Sequence, residues 1–108
     1  MTQQYCQYII DILSPWADII CKPMFGGYGV YKNGQIFAII ADEEIYFKVD
    51  KVTQPDYEKL NAEQFIYDGK NKPIKMSYWK VPLEILEDNI RLHESAEAAY
   101  KVGLRSKK

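Results

Sequence analysis

The stretch KPMFGGYGVYKNGQIFAII, residues Lys22 to Ile40, decides the fold. Gly26, Gly27, Gly29 and Gly34 stand in it either as a loop that cradles a phosphate or as the bends of a sheet. A phosphate cradle feeds its glycines into a helix N-terminus, whose backbone N–H groups and dipole hold the anion. Here they run into Tyr28-Gly29-Val30-Tyr31 and then the turn Asn33-Gly34, and no Lys-Ser or Lys-Thr pair follows. The stretch therefore reads as sheet. Along one extended strand, Phe25, Gly27, Gly29 and Tyr31 share one face, and Met24, Gly26, Tyr28 and Val30 share the other. The two adjacent glycines of the first face leave a trough between aromatic walls. We expect the chain's own helix to fill it, with the side chain of a partner as the alternative.

Working outward, Asn33-Gly34 between two apolar runs predicts a hairpin, because the tight turn requires positive φ at both central residues. Ile36 to Ala41 is apolar on both faces, as a central strand covered on each side would be. Asp42-Glu43-Glu44 predicts the next turn. Beyond it, Ile45, Phe47 and Val49 alternate with Tyr46, Lys48 and Asp50, the pattern of a half-buried strand. On the N-terminal side, Tyr5, Tyr8, Ile9, Ile12 and Leu13 recur at helical spacing and predict a helix over Thr2 to Leu13, ended by Ser14-Pro15. On the C-terminal side the expectation is a short helix over Pro55 to Leu60, then a strand pair, Phe65 to Tyr67 and Ile74 to Val81. One longer helix starts near Pro82, with Leu86, Ile90 and Tyr100 on an apolar line and Ala96, Ala99 and Gly103 on a line of small residues. The fold class is α+β: an N-terminal helix, an antiparallel meander of about five strands, a short helix, and a C-terminal helix packed on the sheet. The 108 residues fit a single domain, 1–108, with a basic tail from about residue 104.

Composition narrows the classes of function. An apolar content of 47% supports a packed core, and a net charge of -1 gives no overall attraction to nucleic acid or anionic lipid. The longest apolar run, Ile36 to Ala41, is far short of the ~20 residues that cross a bilayer. Gln3, Gln4 and Gln7 break up any signal-peptide core, so a cytoplasmic protein is expected. Cys6 and Cys21 form no C-x-x-C motif and read as two separate reduced thiols.

The chemical inventory is sparse. His93 is the single histidine, no G-x-S-x-G elbow accompanies any serine, and two scattered cysteines with one histidine do not make a zinc site. Asp42-Glu43-Glu44 lacks calcium-loop spacing. Lys48 and Asp50, on one strand face beside Tyr46, are a commonplace exposed pair. No cofactor or metal is expected, and no catalytic residue. Lys70, Lys72, Lys75 and Lys80, interleaved with Tyr67, Tyr78 and Trp79, form the one basic and aromatic cluster. Such a cluster can contact phosphates and stack on bases, or it can guard an edge strand against pairing with other chains.

Three segments, MFGGYGVY (24–31), FAIIADEEIYFKVD (37–50) and MSYWKVPLEILED (76–88), occur in this order. With them the chain resembles the N-terminal domain of the TfoX/Sxy family, associated with the regulation of natural competence and DNA transformation in bacteria. The resemblance runs from about Cys21 to Gly103 and implies a stand-alone copy of an α+β regulatory domain that is not an enzyme. Its expected mode of action is contact with a protein partner or with a second copy of itself. The candidate surface comprises Met24, Phe25, Gly26, Gly27, Tyr28, Lys48, Asp50, Tyr78 and Trp79. Two alternatives accompany it: weak nucleic-acid binding through Lys70, Lys72, Lys75 and Lys80, and a small ligand held in the glycine trough.

Overall fold

The computed structural model describes residues 2–24, 27–68 and 73–106. The elements are α1 (Thr2–Leu13), β1 (Ile20–Met24), β2 (Gly27–Lys32), β3 (Gln35–Ala41), β4 (Glu44–Lys48), α2 (Gln54–Lys59), β5 (Gln64–Asp68), β6 (Pro73–Lys80), α3 (Leu83–Leu86) and α4 (Asn89–Ser106). The strands form one antiparallel sheet in the order β1-β2-β3-β4-β6-β5. The α+β class, the N-terminal helix and the C-terminal helix on the sheet are as the sequence predicts.

Among the described residues the strands number six, because the stretch read as one strand is two. Met24 pairs with Gly27, Pro23 with Tyr28 and Lys22 with Gly29, so the chain reverses between Met24 and Gly27. Phe25 and Gly26, which join the two strands, lie outside the described residues. A two-residue connection preserves the look of alternation in sequence while inverting its parity. Met24 consequently shares a face with Gly27 and Gly29, and not with Tyr28.

The remaining turns follow local chemistry. Asn33 and Gly34 have φ of 51° and 79° in the β2–β3 hairpin. Asp42 and Glu43 have φ of 52° and 59° in the β3–β4 hairpin. Positive φ at both central residues matches the right-handed twist of the flanking strands. The register slips between Val30 and Tyr31, which face Ala38 and Ile36. Phe37 is the extra residue of this bulge and joins Ala38 and Ile40 in the core.

All the helices that contribute to the core lie on one side of the sheet. Cys6, Ile9 and Leu13 of α1, Tyr57 of α2, Ile85 of α3 and Leu92, Ala96 and Ala99 of α4 cover Val30, Phe37, Ala38, Ile40, Ile45 and Phe47. Trp16 stands edge-on to Phe37 at 5.4 Å and to Tyr100 at 6.5 Å. Its Nε1–H donates to Glu97 at 2.9 Å. Lys32 lies over both the Trp16 and Tyr100 rings, at 4.7 and 4.3 Å. His93 has its Nε2 2.9 Å from the Ile12 carbonyl oxygen and ties α4 to the end of α1, a boundary role in keeping with its solitary place in the sequence.

The expected single helix from Pro82 is interrupted. The Asp88 carboxylate accepts the Arg91 N–H at 3.2 Å and caps a new helix. The phase restarts there, which leaves Ile90 72% exposed and turns Leu92, Ala96, Ala99 and Val102 inward. The line of small residues lets α4 approach the sheet closely: a Cβ on Gly103 would lie 2.7 Å from the Ile36 carbonyl oxygen. No helix among the described residues is long and apolar enough to cross a membrane.

Candidate functional site

The opposite face of the sheet carries no helix of the core cluster, and its side chains follow from the register. One row runs across five strands, Lys22–Gly29–Ile39–Tyr46–Lys80. A second row is Ile20–Tyr31–Ile36, and a third is Lys48–Tyr78. Phe65 of β5 joins through its ring, 5.0 Å from that of Tyr46. Tyrosine, phenylalanine and isoleucine on a sheet face normally seek a covering layer. Here they cover one another, and Ile39 is buried although it lies outside the helix-side core.

The glycines supply the floor. At Gly29, Met24 Sδ lies 2.6 Å from where a Cβ would stand, and Ile36 Cδ1 and Tyr31 Cε1 each lie 3.0 Å away. The trough is filled by the chain's own side chains, but from β1, β2 and β3, not by a helix as the sequence suggested. At Gly27 a Cβ would clash with the Ile40 carbonyl oxygen. Glycine is required there for a close backbone approach and not for an anion. No room for a small ligand is left over these two residues.

Lysine stems complete the layer. Lys22 Nζ lies 5.2 Å from the Tyr31 ring centroid and Lys48 Nζ 4.8 Å from that of Tyr78, both within cation–π range. Burial lowers the Lys48 pKa from the ordinary lysine value. Burial, with a smaller contribution from Tyr31, pushes the Tyr78 phenol up to about 12. Burial and then Glu44 raise that of Tyr46. These phenols keep their protons near neutrality and serve as rings and hydrogen-bond donors rather than as acids. Lys80 pairs with Glu44 at 3.2 Å, which raises its pKa and commits its charge within the sheet.

Asp50 lies beyond β4, away from Lys48. One carboxylate oxygen accepts the N–H groups of Val52 at 3.0 Å and Thr53 at 3.1 Å, and the other accepts from Arg105 at 2.7 Å. The residue orders the entry to α2 and fastens the end of α4. The Arg105 hydrogen bond, with those of Thr53 and Val52 against a smaller desolvation penalty, holds its carboxyl below the usual aspartate value. A depressed folded pKa contributes stability above the unfolded value of about 3.9 that is lost as pH falls through the folded value. Asp50→Ala is expected to cost about 1 kcal/mol at pH 6. Thermal melts of the variant and the parent should converge as the pH falls below the folded pKa.

Of the residues predicted from sequence, Met24, Gly27, Lys48, Tyr78 and Lys80 meet on this face. Tyr28 and Trp79 lie on the helix side, against the core. Trp79 Nε1 is buried there without a hydrogen-bond partner. Phe25, Gly26, Lys70 and Lys72 lie outside the described residues, and Lys75 is described only as backbone of β6. Lys22, Tyr31, Ile36, Tyr46 and Phe65 are members that sequence reasoning did not assign to the surface. The alternation of Tyr46 with Phe47 is the visible signal for Tyr46, and the sequence already sets Tyr31 on the face of Gly27 and Gly29, whereas the parity inversion at residues 24–27 concealed that Lys22 and Met24 share that face.

A cavity of about 70 Å³ lies among Tyr57, Leu60, Ile85 and Ala99, and a wider cleft of about 420 Å³, within the size range of an ordinary metabolite site, opens among Leu60, Glu63, Lys80, Pro82 and Leu86. Among the described residues, no three His, Cys, Asp or Glu side chains converge as metal ligands. Residues 11–102 match the family model of the TfoX N-terminal domain. No protein of curated function matches the chain.

Proposed function

The chain belongs to the TfoX N-terminal domain family, regulatory domains associated with competence and without known catalysis, and from that premise we propose a regulatory module that acts by binding a protein through the helix-free face of its sheet. The observation that carries this is the set of half-buried rings spread over one sheet face, Tyr31, Tyr46 and Phe65, with the lysines Lys22 and Lys48 on the same face. Amphipathic aromatic side chains give large contact area at low entropic cost. The lysine charges suit a partner that presents apolar side chains bordered by carboxylates.

The test is a deletion strain scored for transformation frequency and complemented with the parent gene or with Lys22→Glu/Tyr31→Ala. The parent should restore transformation, and the double variant should lose about tenfold or more, the effect of removing one or two anchor contacts. A melt of the purified variant separates lost contact from lost fold, and Ile90→Ala on the exposed helix surface serves as the neutral control. A deletion that leaves transformation unchanged overturns the competence reading. A folded double variant with parental activity overturns the choice of face. Light scattering distinguishes a second copy from a different partner, and titration of labelled DNA at two salt concentrations detects any phosphate contact by its salt slope.

A further inference from the structure

Cys6 and Cys21 read in sequence as unrelated thiols, yet the fold sets them together. Cys6 lies on the buried side of α1, 5% exposed. Cys21 lies on β1 in register with Val30, so its side chain points to the helix side. Both pack against the same core cluster, and each thiol lies near enough to affect the ionisation of the other. Both are free. The interaction face makes no use of them.

We propose that Cys6 and Cys21 are a modification site, an internal dithiol that low-molecular-weight disulfides convert to a disulfide bond joining α1 to the edge strand β1. Cys21, the more exposed of the two, is the attacking sulfur. Its thiolate displaces one thiolate from the small disulfide and forms a mixed disulfide on Cys21. The Cys6 thiolate then attacks Cys21 Sγ, forms the Cys6–Cys21 bond and expels the second small thiolate. The two protons lost by the protein thiols are taken up by the two leaving groups. The protein dithiol is oxidised and the small disulfide is reduced to two thiols. Burial pushes the Cys21 thiol up to about 12, so the attacking thiolate is scarce near neutrality and closure is slow. The same burial shields the finished bond, which makes the oxidised form a persistent state rather than a rapid sensor.

The full chain incubated with oxidised glutathione tests this. The expected product is a monomer lighter by two hydrogens, with no free thiol under denaturing conditions. A proteolytic peptide pair should link Cys6 to Cys21, and dithiothreitol should reverse the change. Because the bond closes a loop from α1 to β1, the oxidised protein should melt about 10 °C higher than the reduced one. Cys6→Ala should stop at a glutathione adduct on Cys21. Two free thiols after prolonged incubation, a stable glutathione adduct on the parent chain, or a disulfide between two chains would each overturn the proposal.

Discussion

Phe37→Ala should lower the stability of the domain by about 3–5 kcal/mol, the cost of emptying a fully buried aromatic site. Phe37 is 0% exposed and stands at the centre of the ring cluster, 5.4 Å from Trp16 and 6.1 Å from Phe47. It is also the extra residue of the β3 bulge, so the backbone has committed a local irregularity to placing this ring. Truncation removes the transfer free energy of the ring and leaves a void among Trp16, Phe47 and α4 that a strand held on both sides cannot close. Set against a total of about 5–15 kcal/mol for domains of this kind, the loss is a large share. Urea unfolding should show a lower midpoint with an unchanged slope, and the melting temperature should fall by about 15 °C or more. A change below about 1 kcal/mol would mean that Phe37 does not organise the core.

Gly27→Ala is the second large effect, and it tests the reading of the glycines directly. The new Cβ would clash with the carbonyl oxygen of Ile40, a backbone atom held by the pairing of β3 with β2 and β4. Relief requires β2 to separate from β3 at the Tyr28–Ile40 pair, at a cost of about 1–3 kcal/mol or more. Gly29→Ala supplies the contrast. Its Cβ meets first the Met24 sulfur, the far part of a flexible side chain that can swing aside. We expect that variant to lose less than about 1 kcal/mol. Faster amide exchange at Tyr28 and Ile40 in Gly27→Ala alone would locate the damage at the strand seam. Equal stability of the two alanine variants would refute the close-approach explanation and reopen the question of what these glycines are for.

The proposed protein-binding role of the helix-free face and the proposed Cys6–Cys21 disulfide are independent of each other. The first rests on rows of side chains generated by strand register. The second rests on the helix-side placement of Cys6 and Cys21 against one core cluster. A domain that fails one test can still pass the other.

What the sequence determined by itself was whatever depends on neighbours in the chain. Helical spacing placed α1 at Thr2–Leu13, Asn33-Gly34 placed the β2–β3 hairpin, and alternation placed β4. Each is settled by steric preferences and periods that act over a few residues. The expected continuation of the Pro82 helix through Ile90 failed because the Asp88 cap resets the phase, a choice between two locally acceptable helices that only packing resolves.

Tertiary structure decided everything that depends on which face a residue occupies. The reversal between Met24 and Gly27 moved Tyr28 to the core side and brought Met24 over Gly29. Long-range packing joined Asp50 to Arg105, and Cys6 to Cys21. A strand's period of two states that neighbouring residues face opposite ways but not which way is inward. That sign is set only when the helices bury one side, because burial of apolar area is a property of the assembled layers and of no single segment.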